Sequence, residues 1–215
     1  MTELSIEEAY KQITALFPHE PYDHRQFLIE GYEKHPDYSA HITEDYRIRY
    51  AAFKHTVAKV LQPESILEIG VRGGVSALAF LHARNVKFLG IDNSLDTKTW
   101  NLNFEKNAEF WFNHFSYSTQ ILTHDSQKME SFPKFDLVHI DGGHAFEEVR
   151  HDFINAWKSG ARWILCDDGT DSAVVAGIFH ALKFDLDRGS VEWTYFPEAW
   201  TGNLLVRTDH RWGNK

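Results

Sequence analysis

The stretch Glu68-Ile69-Gly70-Val71-Arg72-Gly73-Gly74-Val75-Ser76 decides the fold, because its pattern predicts the end of a strand, a glycine-rich turn and the start of a helix. Glycines let the backbone turn tightly and approach a ligand, while the free amides of the helix N-terminus point toward that ligand. Glu68 interrupts an otherwise apolar strand, and a buried carboxylate needs a partner such as a cation or a hydroxyl. The sequence therefore predicts a ligand-binding turn, with a turn made only for packing as the alternative.

Beyond Pro63, short apolar runs rich in strand-forming residues alternate with helical patterns, which is typical of a parallel sheet covered by helices on both faces. The two last runs have no helix between them and predict an antiparallel pair. The fold class is therefore α/β and Rossmann-like. We expect strands at 66–70, 86–91, 118–123, 135–140, 161–166, 190–196 and 202–207.

Two amphipathic helices precede the first strand. Ser5 is placed to cap the first helix, and the second runs from about Thr43 to Gln62-Pro63. The chain is expected to comprise an N-terminal helical cap or lid at residues 1–62 and an α/β domain at residues 63–215.

Composition excludes several classes of protein. Hydrophobic residues make up 43% of the chain and aromatic residues 14%, which is too apolar for a disordered protein. The net charge of −9 disfavours binding to nucleic acid or to an anionic membrane. The single cysteine, Cys166, lies in an apolar run, and the sequence has neither a signal peptide pattern nor 18 consecutive apolar residues. We expect a cytoplasmic protein with a small-molecule partner, and a homo-oligomer is left open.

Polar residues follow the second and third strands, at the sheet edge where ligands of such folds bind. Asp92 lies 22 residues after Gly70, which is the interval for a carboxylate that binds both ribose hydroxyls. Asp125 and the neighbouring backbone amide of Ser126 could bind an adenine amine and ring nitrogen, although an aspartate in this position is more often a helix cap. Arg72 and Val75 stand where a dinucleotide fingerprint requires glycine, so a nicotinamide enzyme is disfavoured.

Three carboxylates follow the fourth and fifth strands. Asp141 ends one strand, and Asp167 and Asp168 end the next. Adjacent strands lie about 4.8 Å apart, so these carboxylates should approach one another and share a cation. Oxygen ligands favour Mg²⁺, with Mn²⁺ or Ca²⁺ as alternatives. A polar turn that caps the next helix is the competing interpretation.

His144 follows Asp141 by three residues and precedes a helix. An imidazole can accept a proton near neutral pH, so His144 is the candidate general base. His139 lies inside the fourth strand and is expected to be structural.

The strand ends Glu68-x-Gly70-x-x-Gly73-Gly74, Gly90-Ile91-Asp92 and Thr123-His124-Asp125-Ser126 resemble those of the class I S-adenosylmethionine methyltransferases. The resemblance covers residues 60–207 and implies a sheet of order 3-2-1-4-5-7-6 with the seventh strand antiparallel. It makes residues 63–215 an S-adenosylmethionine-binding domain. The implied cofactor contacts are Glu68, Gly70, Gly73, Gly74, Ser76, Asp92, Asn93, Asp125, Ser126 and Asp141.

The acidic cluster is similar to that of metal-dependent O-methyltransferases of the catechol and macrocin types. That resemblance implies Asp141, Asp167 and Asp168 as metal ligands, with Asp141 and His144 as catalytic residues. His144 replaces the lysine of the catechol type and Asp168 replaces its asparagine, which favours the sugar or natural-product branch. The expected activity is methylation of a small-molecule hydroxyl. A non-catalytic S-adenosylmethionine-binding regulator or scaffold and a nicotinamide oxidoreductase are the alternatives.

Several aromatic residues and one histidine could line an acceptor pocket. They are Tyr22, His24, Phe27, Trp100, Trp111 and Trp200.

Overall fold

The computed structural model describes residues 4–27, 45–72, 74–93, 119–185 and 191–208 of the 215-residue chain. Within these ranges the longer helices are α1 (Ile6–Leu16), α2 (Asp45–Leu61), α3 (Val75–Ala83), α4 (Phe146–Lys158) and α5 (Ser172–His180). The strands are β1 (Ser65–Ile69), β2 (Lys87–Asp92), β3 (Thr119–Thr123), β4 (Leu137–Ile140), β5 (Trp163–Cys166), β6 (Val191–Phe196) and β7 (Asn203–Thr208). Every predicted strand is confirmed to within two residues at each end.

The strands form one seven-stranded sheet of order β3-β2-β1-β4-β5-β7-β6. Strands β1 to β5 pair in parallel, and β7 runs antiparallel to both β5 and β6. This confirms the predicted topology. The carboxyl ends of β1, β2, β4 and β5 consequently meet at one edge, together with the start of β7.

Alternate residues of each central strand pack on opposite faces of the sheet, as a period of two requires. In β4, for example, Leu137 joins the core beneath α1, α2 and α3, whereas Val138 joins the core beneath α4 and α5. Both sides of the central strands are therefore shielded from water, which explains their continuous apolar runs.

The N-terminal helices contribute to this core. Ala9 and Ile13 of α1 and Phe53 of α2 are fully buried in the cluster that contains Trp163 of β5. The Ser5 hydroxyl accepts a hydrogen bond from the Glu8 amide at 3.1 Å, so Ser5 caps α1 as predicted. The division of the chain at residue 62 stays a prediction, and one apolar cluster spans both sides of it.

None of the helices in the described ranges is long and apolar enough to cross a membrane.

Candidate active site

The glycine turn after β1 begins where three strand ends converge. The Gly70 amide donates to the Ile91 carbonyl at 2.8 Å, and the Asp141 amide donates to the Ile69 carbonyl at 2.9 Å. Gly70 has a φ of +85°, and a Cβ atom there would lie 1.9 Å from the Asp141 carbonyl oxygen. Only glycine fits where β1 approaches β4 so closely. The packing of these two strands therefore requires Gly70 whether or not the turn binds a ligand.

The remaining glycines of the predicted motif are less informative. Gly74 adopts a φ of +74° and forms the N-cap of α3. Gly73 lies outside the described residues.

Glu68 and Ser76 contact each other beneath this turn. The fully buried Glu68 carboxylate accepts a hydrogen bond from the Ser76 hydroxyl. Its Oε1 atom also lies 2.9 Å from Nδ1 of His139, which is equally buried. The partners that we expected for the Glu68 carboxylate are thus the Ser76 hydroxyl and the His139 imidazole.

Asp92 ends β2 beside the glycine turn. Its Oδ2 atom accepts a hydrogen bond from the Arg72 amide at 2.7 Å, where Arg72 has a φ of +47°. Asn93 follows in an exposed turn. Asp92 therefore supports the loop whose amides would face a cofactor, and its predicted contact with a ribose stays a prediction.

Asp125 caps a 3-10 turn (Ser126–Lys128) by accepting from the Gln127 amide at 3.0 Å. This hydrogen bond and the Lys128 ammonium lower the pKa of Asp125. The helix-cap interpretation is thus correct for Asp125, and its predicted adenine contact stays a prediction.

The turn is held from below by Asp152 of α4. This buried carboxylate accepts hydrogen bonds from the Ser126 hydroxyl at 3.2 Å and from the Gln127 side-chain amide at 2.9 Å. Burial raises the pKa of Asp152 to about 6, although the bond from Ser126 opposes the rise. Sequence reasoning missed Asp152, because a single acid on an amphipathic helix ordinarily faces water.

Asp141 belongs to two groups of potential metal ligands. The inner set is His139, Asp141 and Asp167, and the outer set is Asp141, His144 and Asp168; the ligand atoms within each set lie within 4.8 Å of one another. Burial, followed by the charges of Asp167 and Asp168, raises the pKa of Asp141 well above its ordinary value. The structure thus brings all the predicted carboxylates to one edge, but it divides them between two sets.

Backbone conformation explains this division. Asp167 follows the last residue of β5 and is buried, whereas Asp168 adopts a φ of +53° and turns outward. Nε2 of the half-exposed His144 lies 2.9 Å from Oδ2 of Asp168. Burial, then the charge of Asp167, raises the pKa of Asp168 above its ordinary value, against the opposing effect of His144.

Helix α2 supplies two donors to the cluster that sequence reasoning did not identify. The Tyr50 hydroxyl donates to Oδ2 of Asp141 at 2.7 Å. One helical turn later, Nζ of Lys54 lies 3.0 Å from Oδ2 of Asp167, and both side chains are buried. Burial would raise the pKa of Asp167, but the Lys54 ammonium and the His139 ring together hold it well below its usual range.

A cavity of about 820 Å³ opens beside these residues, between the end of α1, the start of α2 and the β6–β7 turn. Trp200 lines it and packs edge-on against Tyr50, with ring centroids 6.0 Å apart. Thr201, which also lines it, donates from its hydroxyl to Oδ1 of Asp167 at 3.0 Å. The cavity is therefore linked to Asp167 through Thr201, and to Asp141 through Trp200 and Tyr50.

Among the residues predicted to line an acceptor pocket, Trp200 is the one that lines this cavity. Tyr22 stacks on His55 and its hydroxyl lies 2.9 Å from the His82 ring, while His24 is fully buried. The Phe27 side chain, Trp100 and Trp111 lie outside the described residues.

The sheet order, the glycine turn after β1 and the acid that ends β2 define a class I S-adenosylmethionine-dependent methyltransferase fold. Residues 67–169 match the family model of a methyltransferase domain, so this part of the chain is similar to methyltransferase domains. The resemblance inferred from the strand ends is thereby confirmed. No curated protein sequence is similar enough to this chain to count as a match.

Solved structures with this fold include several methyltransferases. PaMTH1 of Podospora anserina, bound to S-adenosylhomocysteine, is 14% identical; the match covers 96% of this chain and 98% of that one, with a TM-score of 0.59. The O-methyltransferase TomG of Streptomyces achromogenes, in complex with S-adenosylmethionine, is 16% identical, with coverages of 93% and 98% and a TM-score of 0.55. CalS11, a TDP-rhamnose 3′-O-methyltransferase, is 14% identical, with coverages of 100% and 98% and a TM-score of 0.56. At these identities the likeness concerns the fold.

Proposed function

We propose that this protein is an O-methyltransferase that transfers the methyl group of S-adenosylmethionine to a hydroxyl of a small molecule, assisted by a divalent cation. One observation carries the proposal. The outer set gathers two carboxylates and an imidazole at the carboxyl edge of the sheet, beside the turn that begins at Gly70. Ligands of open α/β sheets bind at this edge.

The cofactor contacts would lie at the glycine turn and at the strand ends, and the buried Glu68–Ser76 pair would support that turn from beneath. Asp92 would bind the ribose hydroxyls, and the turn that begins at Gly70 would place backbone amides against the cofactor. The structures of PaMTH1 and TomG contain S-adenosylhomocysteine and S-adenosylmethionine, respectively, which supports this choice of cofactor.

The donor chemistry of the outer set fits a hard divalent cation. Asp141 and Asp168 would hold it, since carboxylate oxygens are the ligands that Mg²⁺ and Mn²⁺ prefer. A bound ion of this kind would lower the pKa of an acceptor hydroxyl and orient it. Without an ion, burial and then the charges of the neighbouring carboxylates raise the pKa of Asp141, and a bound cation would offset both effects.

His144 would remove the acceptor proton. Because the Asp168 carboxylate faces Nε2 at 2.9 Å, the proton of the neutral ring belongs on Nε2. Nδ1 is then the nitrogen that accepts the hydroxyl proton. The His144 side chain is half exposed, so an acceptor at the sheet edge would be able to reach its ring.

The acceptor would occupy the cavity lined by Trp200 and Thr201. Its volume of about 820 Å³ suits a molecule of several hundred daltons, and ligand sites are commonly 300–1,000 Å³. The acceptor of CalS11 is a nucleotide sugar, which supports the inclusion of sugars among the candidates.

Methyl transfer can be tested with S-adenosylmethionine labelled on its methyl group, Mg²⁺ and a panel of nucleotide sugars, catechols and other hydroxylated metabolites. We expect label to enter one compound class, and we expect EDTA to abolish the transfer. His144→Gln should bind S-adenosylhomocysteine normally and transfer label at least 100-fold more slowly, because general base catalysis contributes about 10²–10⁴-fold. An unchanged rate would remove His144 as the base.

A non-catalytic protein that only binds the cofactor is the second candidate, since the methyltransferase fold does not itself guarantee turnover. It predicts binding of S-adenosylhomocysteine with no label transferred to any compound. An affinity for S-adenosylhomocysteine that is unchanged by Asp141→Asn and by EDTA would also favour this candidate.

A further inference from the structure

The side chain of Lys54 is a buried cation within the acidic cluster. It is fully buried, lies 3.0 Å from Oδ2 of Asp167 and donates a hydrogen bond to Oδ1 of Asn203. A buried ammonium is costly unless it is paired with an anion and hydrogen-bonded, so this position is specified by its partners.

Asp167, the partner of Lys54, belongs to a set of residues that could hold a cation. His139, Asp141 and Asp167 place ligand atoms within 4.8 Å of one another. Nε2 of His139 is buried without a hydrogen-bond partner and lies 3.8 Å from Oδ2 of Asp167. Two carboxylates and a buried imidazole nitrogen thus lie close together, and one of these carboxylates, Asp167, is already paired with the Lys54 ammonium.

An ammonium and a divalent ion cannot share this place. Like charges repel each other, and the ammonium would repel a divalent ion about twice as strongly as a monovalent ion at the same distance. Any metal bound to Asp167 would therefore have to displace a lysine that is anchored in the helix-packed core.

We propose that Lys54 is the resident cation of the inner set, so that Asp167 binds the protein's own ammonium and is not a ligand of a divalent ion. Lys54 is then a positioning residue: it fixes Asp167 and leaves Asp141 and Asp168 on the outer side. Helix α2 becomes an integral wall of the site. The inference deepens the proposed function, and it rests on that function only for the statement that the outer set holds the metal.

Mn²⁺ is a suitable probe, since free Mn²⁺ is quantified directly by electron paramagnetic resonance. Lys54→Met removes the ammonium and retains most of the side-chain volume. We expect this variant to bind Mn²⁺ at least tenfold more tightly than the unmodified protein, because the inner set then lacks its cation. Lys59→Met is the matched control, since Lys59 lies on the same helix, is half exposed and also pairs with a carboxylate at 3.0 Å. Its affinity for Mn²⁺ should stay within threefold of the unmodified protein.

The double variant Lys54→Met/Asp167→Asn separates the possibilities further. Its inner set lacks both the ammonium and the Asp167 charge, so the double variant should bind Mn²⁺ within threefold of the unmodified protein. A large loss of Mn²⁺ affinity in the double variant would overturn the proposal, because it would make Asp167 a metal ligand. A folded Lys54→Met that binds Mn²⁺ no better than the unmodified protein would overturn it as well.

If Lys54→Met is unfolded in the absence of metal, thermal denaturation with and without Mn²⁺ tests the proposal instead. Recovery of a cooperative transition on addition of Mn²⁺ supports the proposal, and failure to recover while the double variant is folded contradicts it. An unmodified protein that binds no Mn²⁺ counts against the metal in the proposed function, whereas the gain in Lys54→Met tests Lys54 separately.

Discussion

The Tyr50 hydroxyl donates a hydrogen bond to the Asp141 carboxylate across 2.7 Å, which joins the N-terminal helix α2 to the end of the central strand β4. Tyr50→Phe removes this donor and leaves the partly buried Asp141 carboxylate without it. We expect a loss of about 1–3 kcal/mol in the free energy of unfolding, the range for a hydrogen bond to a charged or buried group. Unfolding in urea, followed by fluorescence, measures it.

Tyr10→Phe is the control for this substitution. Tyr10 lies on α1, is partly exposed and packs against Phe196. Its variant should match the unmodified protein within about 0.5 kcal/mol, as surface substitutions usually do. Equal stability of Tyr50→Phe and the unmodified protein would show that the bond to Asp141 is not formed in solution.

The Lys54–Asp167 pair should show strong energetic coupling. Lys54→Met and Asp167→Asn each leave a buried charge without its partner, and each should cost about 3–5 kcal/mol. The double variant removes both charges and should lose much less than the sum of the single losses. Additive losses in the double variant would mean that the two charges do not interact.

Gly70→Ala should destabilise the protein and distort the cofactor site. The effect should exceed the cost of placing alanine at a positive φ. A methyl group there would lie 1.9 Å from the Asp141 carbonyl, so the ends of β1 and β4 must separate. Gly160→Ala is the matched control, because Gly160 has a similar φ of +81° but no atom closer than 3.8 Å to the added Cβ. The control should lose about 1–2 kcal/mol from the left-handed conformation alone.

Gly70→Ala should lose at least a further 1–3 kcal/mol from steric overlap and should bind S-adenosylhomocysteine poorly. Calorimetric melting and titration of both variants test this. Comparable effects of the two substitutions would contradict the close approach at Gly70.

Asp152 should make stability depend on pH. Its folded-state pKa of about 6 lies above the ordinary value of 3.8, so the folded protein retains a proton that the unfolded chain releases. The contribution of Asp152 to the free energy of unfolding should therefore be most favourable below about pH 4. It should decrease by at most about 3 kcal/mol as the pH rises from 4 to 6.

Asp152→Asn should remove that decrease. The variant should gain stability relative to the unmodified protein as the pH rises from 4 to 7, measured by urea unfolding at each pH. Glu147→Gln, which removes an exposed carboxylate from the same helix, should show no such gain. A constant difference between Asp152→Asn and the unmodified protein across this range would contradict the raised pKa.

The sequence predicted the sheet well because its signals are local. Each strand is a short apolar run bounded by polar or glycine residues, and the helix-free connection between β6 and β7 already required an antiparallel pair. Likewise, Asp141 and Asp167 follow neighbouring parallel strands, so the sheet alone brings them together.

The contacts from α2 could not be predicted in the same way. Lys54 lies 113 residues from its partner Asp167, and a lysine within a helical pattern ordinarily points to solvent. The separation of Asp167 from Asp168 depends on a positive φ at Asp168 that no residue type signals there. A buried helix face that contains a lysine was the available signal, since Tyr50 and Phe53 flank Lys54 on the apolar side of α2.

The edge of the sheet beside Gly70 is the proposed binding site for S-adenosylmethionine, and thermal denaturation with S-adenosylhomocysteine tests this proposal most directly. At about 100 times its dissociation constant, a ligand adds about 2.7 kcal/mol, which should raise the melting temperature by about 5–10 °C for a chain of this size. We expect this rise with S-adenosylhomocysteine, no rise with NADH, and a smaller rise in Asp92→Ala. An unchanged melting temperature at millimolar S-adenosylhomocysteine would contradict the account.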